Sequence, residues 1–222
     1  MRTLRLLLPA AVAAVVWLLS GYLELLGRQL LPGPVRHVLS LLTPETVPLL
    51  DLTAPAPWSA LLTALSALAL AAAYATFFSL VRGDHRGHEG RGSRDFAAFW
   101  FCAVAAGSCV AAVPAFVVVV VALRERQAPF ALAAEHLVAV AHWGLVWGWL
   151  PALLAVLLDR RSPTGLRMRR IAPIAAGVFL VAAIGLIMAQ PGANAARQEQ
   201  SSEAAGLVQV EVGPMELIAL NR

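Results

Sequence analysis

Five long runs free of Asp, Glu, Lys and Arg divide this chain: Leu6–Leu23, Trp58–Val81, Phe96–Leu123, Leu137–Leu158 and Ile171–Ala189. A helix needs about 20 apolar residues to cross roughly 30 Å of hydrocarbon, and each run meets or approaches that length. Helix is the conformation such runs dictate, because an open strand would leave backbone N–H and C=O groups unpaired in lipid. At 59% hydrophobic residues the chain is also too apolar for an ordinary soluble domain. The expected fold class is all-α, a polytopic integral membrane protein with five transmembrane helices.

The segments between the runs predict an orientation. All seventeen basic residues are Arg. With the N-terminus placed in the cytoplasm, the inner segments hold Arg2 and Arg5, then Arg82, Arg86, Arg91 and Arg94, then Arg160, Arg161, Arg167, Arg169 and Arg170. That is eleven Arg beside four acids, while the outer segments hold six Arg and nine acids. Cytoplasmic loops carry the Arg excess, so the N-terminus is expected to be cytoplasmic and, after five crossings, the C-terminus extracytoplasmic. A basic chain also invites a nucleic-acid reading, but here the Arg lie in short loops at span ends, where topology accounts for them. No nucleic-acid partner is expected. Exclusive use of Arg fits a GC-rich bacterial genome, and the expected location is the cell inner membrane. The first run resembles a signal peptide in its basic start, yet no A-x-A-like site follows in Ser20-Gly21-Tyr22-Leu23, so an uncleaved span is expected.

Residues 1–190 read as a transmembrane domain with spans at about 4–26, 58–81, 96–123, 135–158 and 171–190 and a Pro-rich outer loop over 27–57. Within that loop Val35, Val38, Leu39 and Leu42 recur at helical spacing, with Arg36, His37 and Ser40 on the other side. The pattern suits a short helix lying in the outer interface, and equally an irregular cap over the helix ends. The inner loop around His85 and His88 carries four glycines and His-x-x-His-Glu, which lacks the one-turn spacing of a zinc-protease helix and reads as a solvated linker. Asp159–Arg170 holds five Arg in twelve residues and is expected to sit on anionic headgroups. Residues 191–222 read as an extracytoplasmic tail: Gly192–Gly206 has linker composition, and Leu207–Val212 alternates like a strand.

In lipid, helices associate through close packing of small residues. Gly144-x-x-x-Gly148 followed by Ala152 makes such a stripe on the fourth span, and Gly107 with Ala103 and Ala111 makes one on the third. Both spans also show a second distinctive face, which predicts that they stand at the centre of the bundle, with the first and fifth more exposed. Ala60, Ala64, Ala67, Ala71 and Ala75 form the expected packing face of the second span, and Pro114 is expected to kink the third.

His142 is the titratable side chain deepest in a run, and intramembrane ionisable groups are functional candidates. The candidate polar cluster at the outer face is Glu24, His37, Glu135, His136 and His142. A bis-His haem would need two His on facing helices at matched depth, and the sequence offers no such pair. No cofactor, catalytic set or metal site is expected. The second, third and fifth spans contain no titratable Asp, Glu, Lys, Arg or His, which argues against an ion-coupled carrier. The leading expectation is a non-enzymatic subunit or accessory factor packing against a larger membrane protein, with the 207–222 tail and the small-residue faces as contacts. The alternatives are a small oligomeric permease or channel component and, third, an outer-leaflet enzyme acting on a lipid-linked substrate.

The Arg distribution yields a direct prediction. Single cysteines at residues 88 and 222, in a chain with Cys102 and Cys109 replaced by Ala, should label from opposite sides of the membrane with an impermeant reagent. Labelling of both from one side would refute the orientation.

Overall fold

The computed structural model describes residues 2–43, 55–84, 93–124, 129–159 and 171–212. Every regular element among them is a helix: α1 Arg2–Leu30, α2 Gly33–Leu42, α3 Trp58–Asp84, α4 Ser93–Arg124, α5 Pro129–Trp147, α6 Trp149–Asp159 and α7 Ile171–Val212. Stretches in α1, α3, α4 and α7 are long and apolar enough to cross a membrane: Leu7–Gly27, Trp58–Arg82, Ser93–Val117 and Ile171–Glu203. A fifth crossing is made if α5 and α6 are taken together, Val140–Trp147 and Trp149–Leu158 meeting at 47°. The loops with His85, His88 and the five-Arg cluster, and the tail beyond Val212, lie outside the described residues.

The fourth span is therefore broken where the sequence predicts one continuous helix. Pro151 explains the break. It supplies no N–H for the Trp147 carbonyl, and its ring crowds that carbonyl. The ladder survives on either side through Gly148 N–H to Gly144 O at 2.9 Å and Ala152 N–H to Gly148 O at a looser 3.3 Å. Pro114, by contrast, sits inside a helix that runs unbroken from Ser93 to Arg124.

A second correction concerns the centre of the bundle. α3 packs on α1, α4 and α7, and α4 packs on α3, α5, α6 and α7. The second span, not the fourth, shares the middle with the third. Half of its membrane window is buried (50%), against 28% for the last span. Of the expected alanine row only Ala75 is buried, with Ala67 and Ala71 half-buried. Ala60 and Ala64 are exposed, while Leu62, Ser66, Ala69, Leu70, Ala73, Tyr74 and Phe78 are buried. A helix with alanine on every side offers small residues in all directions, so the larger side chains that interlock decide which side packs. Tyr74 stacks on Phe78 at 6.1 Å between centroids, Phe78 meets Phe99 of α4 at 4.8 Å, and the Arg82 guanidinium lies 5.9 Å over Phe78.

The last helix departs from expectation as well. It continues through Pro191 to Val212, so residue 190 is no helix boundary and the Gly192–Gly206 stretch is helical rather than a linker. One proline removes one hydrogen bond, and the Ala, Arg, Gln and Glu that follow are good helix formers. Packing carries the helix past the proline: Gly192 lies tight against the Trp58 ring, and Ala193 is fully buried.

Glycine marks the tightest seam, between α4 and α5. A Cβ built on Gly144 would lie 2.6 Å from the Val104 Cα, a backbone atom with no freedom to rotate away. One on Gly107 would meet Val140 Cγ1 at 3.0 Å and its carbonyl oxygen at 3.3 Å, and one on Gly148 would reach Ala103 Cβ at 2.7 Å. Ala152, on the same stripe, is fully buried. Gly177 in α7 has nothing within 4 Å of its added Cβ. Gly144→Ala should thus cost about 1–3 kcal/mol by forcing the helices apart. Gly177→Ala should be neutral or stabilising by up to about 1 kcal/mol through helix propensity. Thermal unfolding of the two variants in one detergent compares them, and equal midpoints would refute the seam.

Candidate functional site

The polar groups that the structure brings together sit where the end of α2 meets α1 and the break in the fourth span. Pro32 caps α2 in extended conformation (φ −66°, ψ 155°) and Pro34 stands in its first turn, so the chain leaves α1 and turns back immediately. The helix lies against α1 because Gly27 has no side chain: a Cβ there would collide with Leu39 Cδ2. α2 ends at Thr43 (φ −121°, ψ 74°), whose N–H returns to Leu39 O at 2.7 Å.

Thr43 is buried and its hydroxyl lies 2.9 Å from both Glu24 Oε2 and Leu39 O. One hydroxyl has one proton, and the carboxylate is the stronger acceptor of the two. Glu24, on α1, is only 4% exposed, which makes it the most deeply buried acidic side chain among the described residues. The adjacent residue binds the other way: Trp147 Nε1 of α5 donates to Leu42 O at 2.6 Å. Two successive residues of α2 are thus hydrogen-bonded to two different spans. Trp147 is midway along the fourth apolar run, whereas Glu24 is three residues from the end of the Leu7–Gly27 stretch, so the end of α2 joins the end of one apolar stretch to the break in another. Val35, Val38, Leu41 and Leu42 remain exposed on it.

A second indole serves the same region from α4. Trp100 Nε1 donates to Gly144 O at 3.0 Å, the carbonyl that also accepts from Gly148 N–H, so both lone pairs of Gly144 are used. Beside it, Trp17 of α1 and Trp143 of α5 meet edge to face at 4.8 Å and 84°, both fully buried, an arrangement worth about 0.5–1.5 kcal/mol beyond area burial.

The described residues of the expected outer cluster lie on α1, α2 and α5. Glu24 binds Thr43, His37 is exposed on α2, and His142 is half-buried on α5 without a hydrogen bond among the described residues. Glu135 and His136 lie on α5 one to two turns before His142, with side chains outside what the structure describes. No group of three His, Cys, Asp or Glu able to hold a metal occurs among the described residues. Sequence reasoning missed Thr43, Trp100, Trp147 and Pro151. Of these only Pro151 carried a readable signal, the same one used for Pro114; the others are joined to partners 19, 44 and 105 residues away.

No family model matches the chain, and no curated protein or solved structure is significantly similar to it.

Interhelical hydrogen bonds in membranes contribute about 0.6 kcal/mol on average and up to about 1.7. Thr43→Val should cost an amount near the upper figure, because it strips a donor from a buried carboxylate, whereas Thr43→Ser should cost little. Unfolding midpoints of the two variants measure this, and equal loss in both would show that the methyl group rather than the hydroxyl matters.

Proposed function

We propose that the protein is a non-enzymatic subunit of a bacterial inner membrane, crossing it five times with its N-terminus cytoplasmic and its C-terminus outside, and that it packs against a larger membrane protein. The observation that carries this reading is the way interior hydroxyls are used. Ser20, Ser66, Thr76, Ser79 and Ser108 each donate to a carbonyl three or four residues back on their own helix, at 2.8–3.0 Å, while the buried hydroxyls of Thr63 and Tyr74 have no partner among the described residues. Hydroxyls bonded in this way offer no ladder of free groups to a passing solute. The largest fully buried side chains around them include Trp17, Leu62, Leu70, Tyr74, Val110, Val140 and Trp143, an aliphatic and aromatic filling. An interior filled in this way is well suited to holding another protein.

Surface supports the same reading. The last span leaves Ile174, Val181, Ile184 and Met188 exposed, with Gly177 open among them, and it extends well past the apolar part of the helix. Small residues on an uncovered face let a second helix approach closely.

The permease reading keeps one observation in its favour, the broken span, since transporters place substrate sites at discontinuous helices. Against it, the Gly144 carbonyl one turn before the break is already doubly occupied, which leaves the Trp147 carbonyl as the one backbone acceptor freed by Pro151. Purification in a mild detergent should recover one other membrane protein in a fixed ratio, and deletion of residues 207–222 should weaken that association. A lone monomer whose behaviour the deletion leaves unchanged would end the proposal.

A further inference from the structure

We propose that the α1–α2 hairpin is a brace across the break in the fourth span, so that the bend at Gly148 is set by whether the end of α2 is docked. The break is not held rigidly from within. Pro151 leaves the Trp147 carbonyl without its helical donor, and the bond that follows, Ala152 N–H to Gly148 O, is 3.3 Å. The two halves must then be fixed relative to each other by what packs on them. α4 lies along both halves, held to the first by the glycine seam.

The hairpin is the second support, and it grips the halves by different means. α1 packs directly on α6, beyond the break. α2 is tied to α5, before the break, by the Trp147 indole on Leu42 O. The neighbouring residue, Thr43, returns the connection to α1 through the buried Glu24 carboxylate. The path α6–α1–Glu24–Thr43–Leu42–Trp147–α5 therefore closes a loop around the hinge, and two hydrogen bonds on adjacent residues complete it. Releasing them leaves α5 joined to the hairpin by the Trp17–Trp143 edge contact alone, while α1 stays packed on α6. A proline-broken helix that has lost its directional bonds on one side and keeps there a single ring contact has the geometry of a hinge. The brace also explains why α2 leaves Val35, Val38 and Leu41 exposed yet ends in a buried threonine: its function is concentrated in its last turn.

The test uses the full chain in lipid nanodiscs, with Cys102 and Cys109 replaced by Ala and two pairs of spin labels. One pair, at Leu145 and Leu157, reports the bend; the other, at Leu26 and Val38, reports the docking of α2. All four positions are exposed. Distances are measured by pulsed electron resonance in the parent, in Thr43→Val with Trp147→Phe, and in Thr43→Ser. In the double variant both distributions should broaden or shift by several ångströms, with helical content and monodispersity unchanged. Thr43→Ser, which keeps the hydroxyl, should match the parent. A moved α2 with an unmoved bend would overturn the proposal, as would a moved bend with α2 still docked, or no change in either pair. If the double variant fails to fold, each single variant carries the same pair of readouts, and the two must change together.

Discussion

Hydrocarbon offers a peptide group no partner, and this chain is organised by that fact. Each backbone donor and acceptor inside the membrane must be paired by the protein, which is why the described residues are helical and why a proline within a span has consequences beyond its own position. At Pro151 one carbonyl loses its donor and the helix bends by 47°. The surroundings of the bend are correspondingly rich in N–H donors from side chains: Trp100 reaches Gly144 O and Trp147 reaches Leu42 O. Tryptophan serves here in two ways: the Trp100 and Trp147 N–H groups find carbonyls, while the buried Trp17 and Trp143 rings fill space with their N–H groups unpaired.

Glycine does the complementary work. Without a hydrophobic force between helices, van der Waals contact decides which faces meet, and contact improves as backbones approach. Gly107, Gly144 and Gly148 bring α4 and α5 together along one seam, and Gly27 admits α2 to α1. The seam also makes the indole bond from Trp100 possible, since only a helix this close presents its carbonyl within reach. Close packing and hydrogen bonding at the break are thus one arrangement, and a side chain at Gly144 would disturb both.

What could be read from the sequence follows from the size of the energies. A charge within a span costs several kcal/mol, so charge-free runs mark the apolar stretches plainly, and each of the five lies within a helix or the bent pair. Which face of a helix packs involves smaller differences. Ala60 and Ala69 are the same residue, one exposed and one fully buried, and only the shape of the neighbouring helices separates them. The candidate site was less legible still. Glu24 stood out by its type, but its partner Thr43 follows a turn that brings the chain back on itself, and the Trp147–Leu42 bond joins residues 105 apart. Such pairings depend on the whole bundle and leave no local trace. The continuation of α7 through Pro191 failed to show for the opposite reason: its polar composition is equally that of a linker, and the close fit of Gly192 on Trp58 with the burial of Ala193 tips it to helix.

The energies at the α2 end are modest one by one, yet their placement matters more than their sum. A hydrogen bond worth about 0.6 kcal/mol cannot hold a helix in the bundle, whose association rests on packing over many residues. It can choose between two arrangements of similar packing energy, because those arrangements differ by the same small amount. A span bent at a proline has such near-equal arrangements available, since rotation about the break exchanges one apolar contact for another in a medium that is apolar everywhere. Directional bonds are then what gives the bend a single value. That is the physical reason for a buried carboxylate and a threonine at the end of an otherwise lipid-exposed helix, and for an indole N–H aimed at the carbonyl beside them.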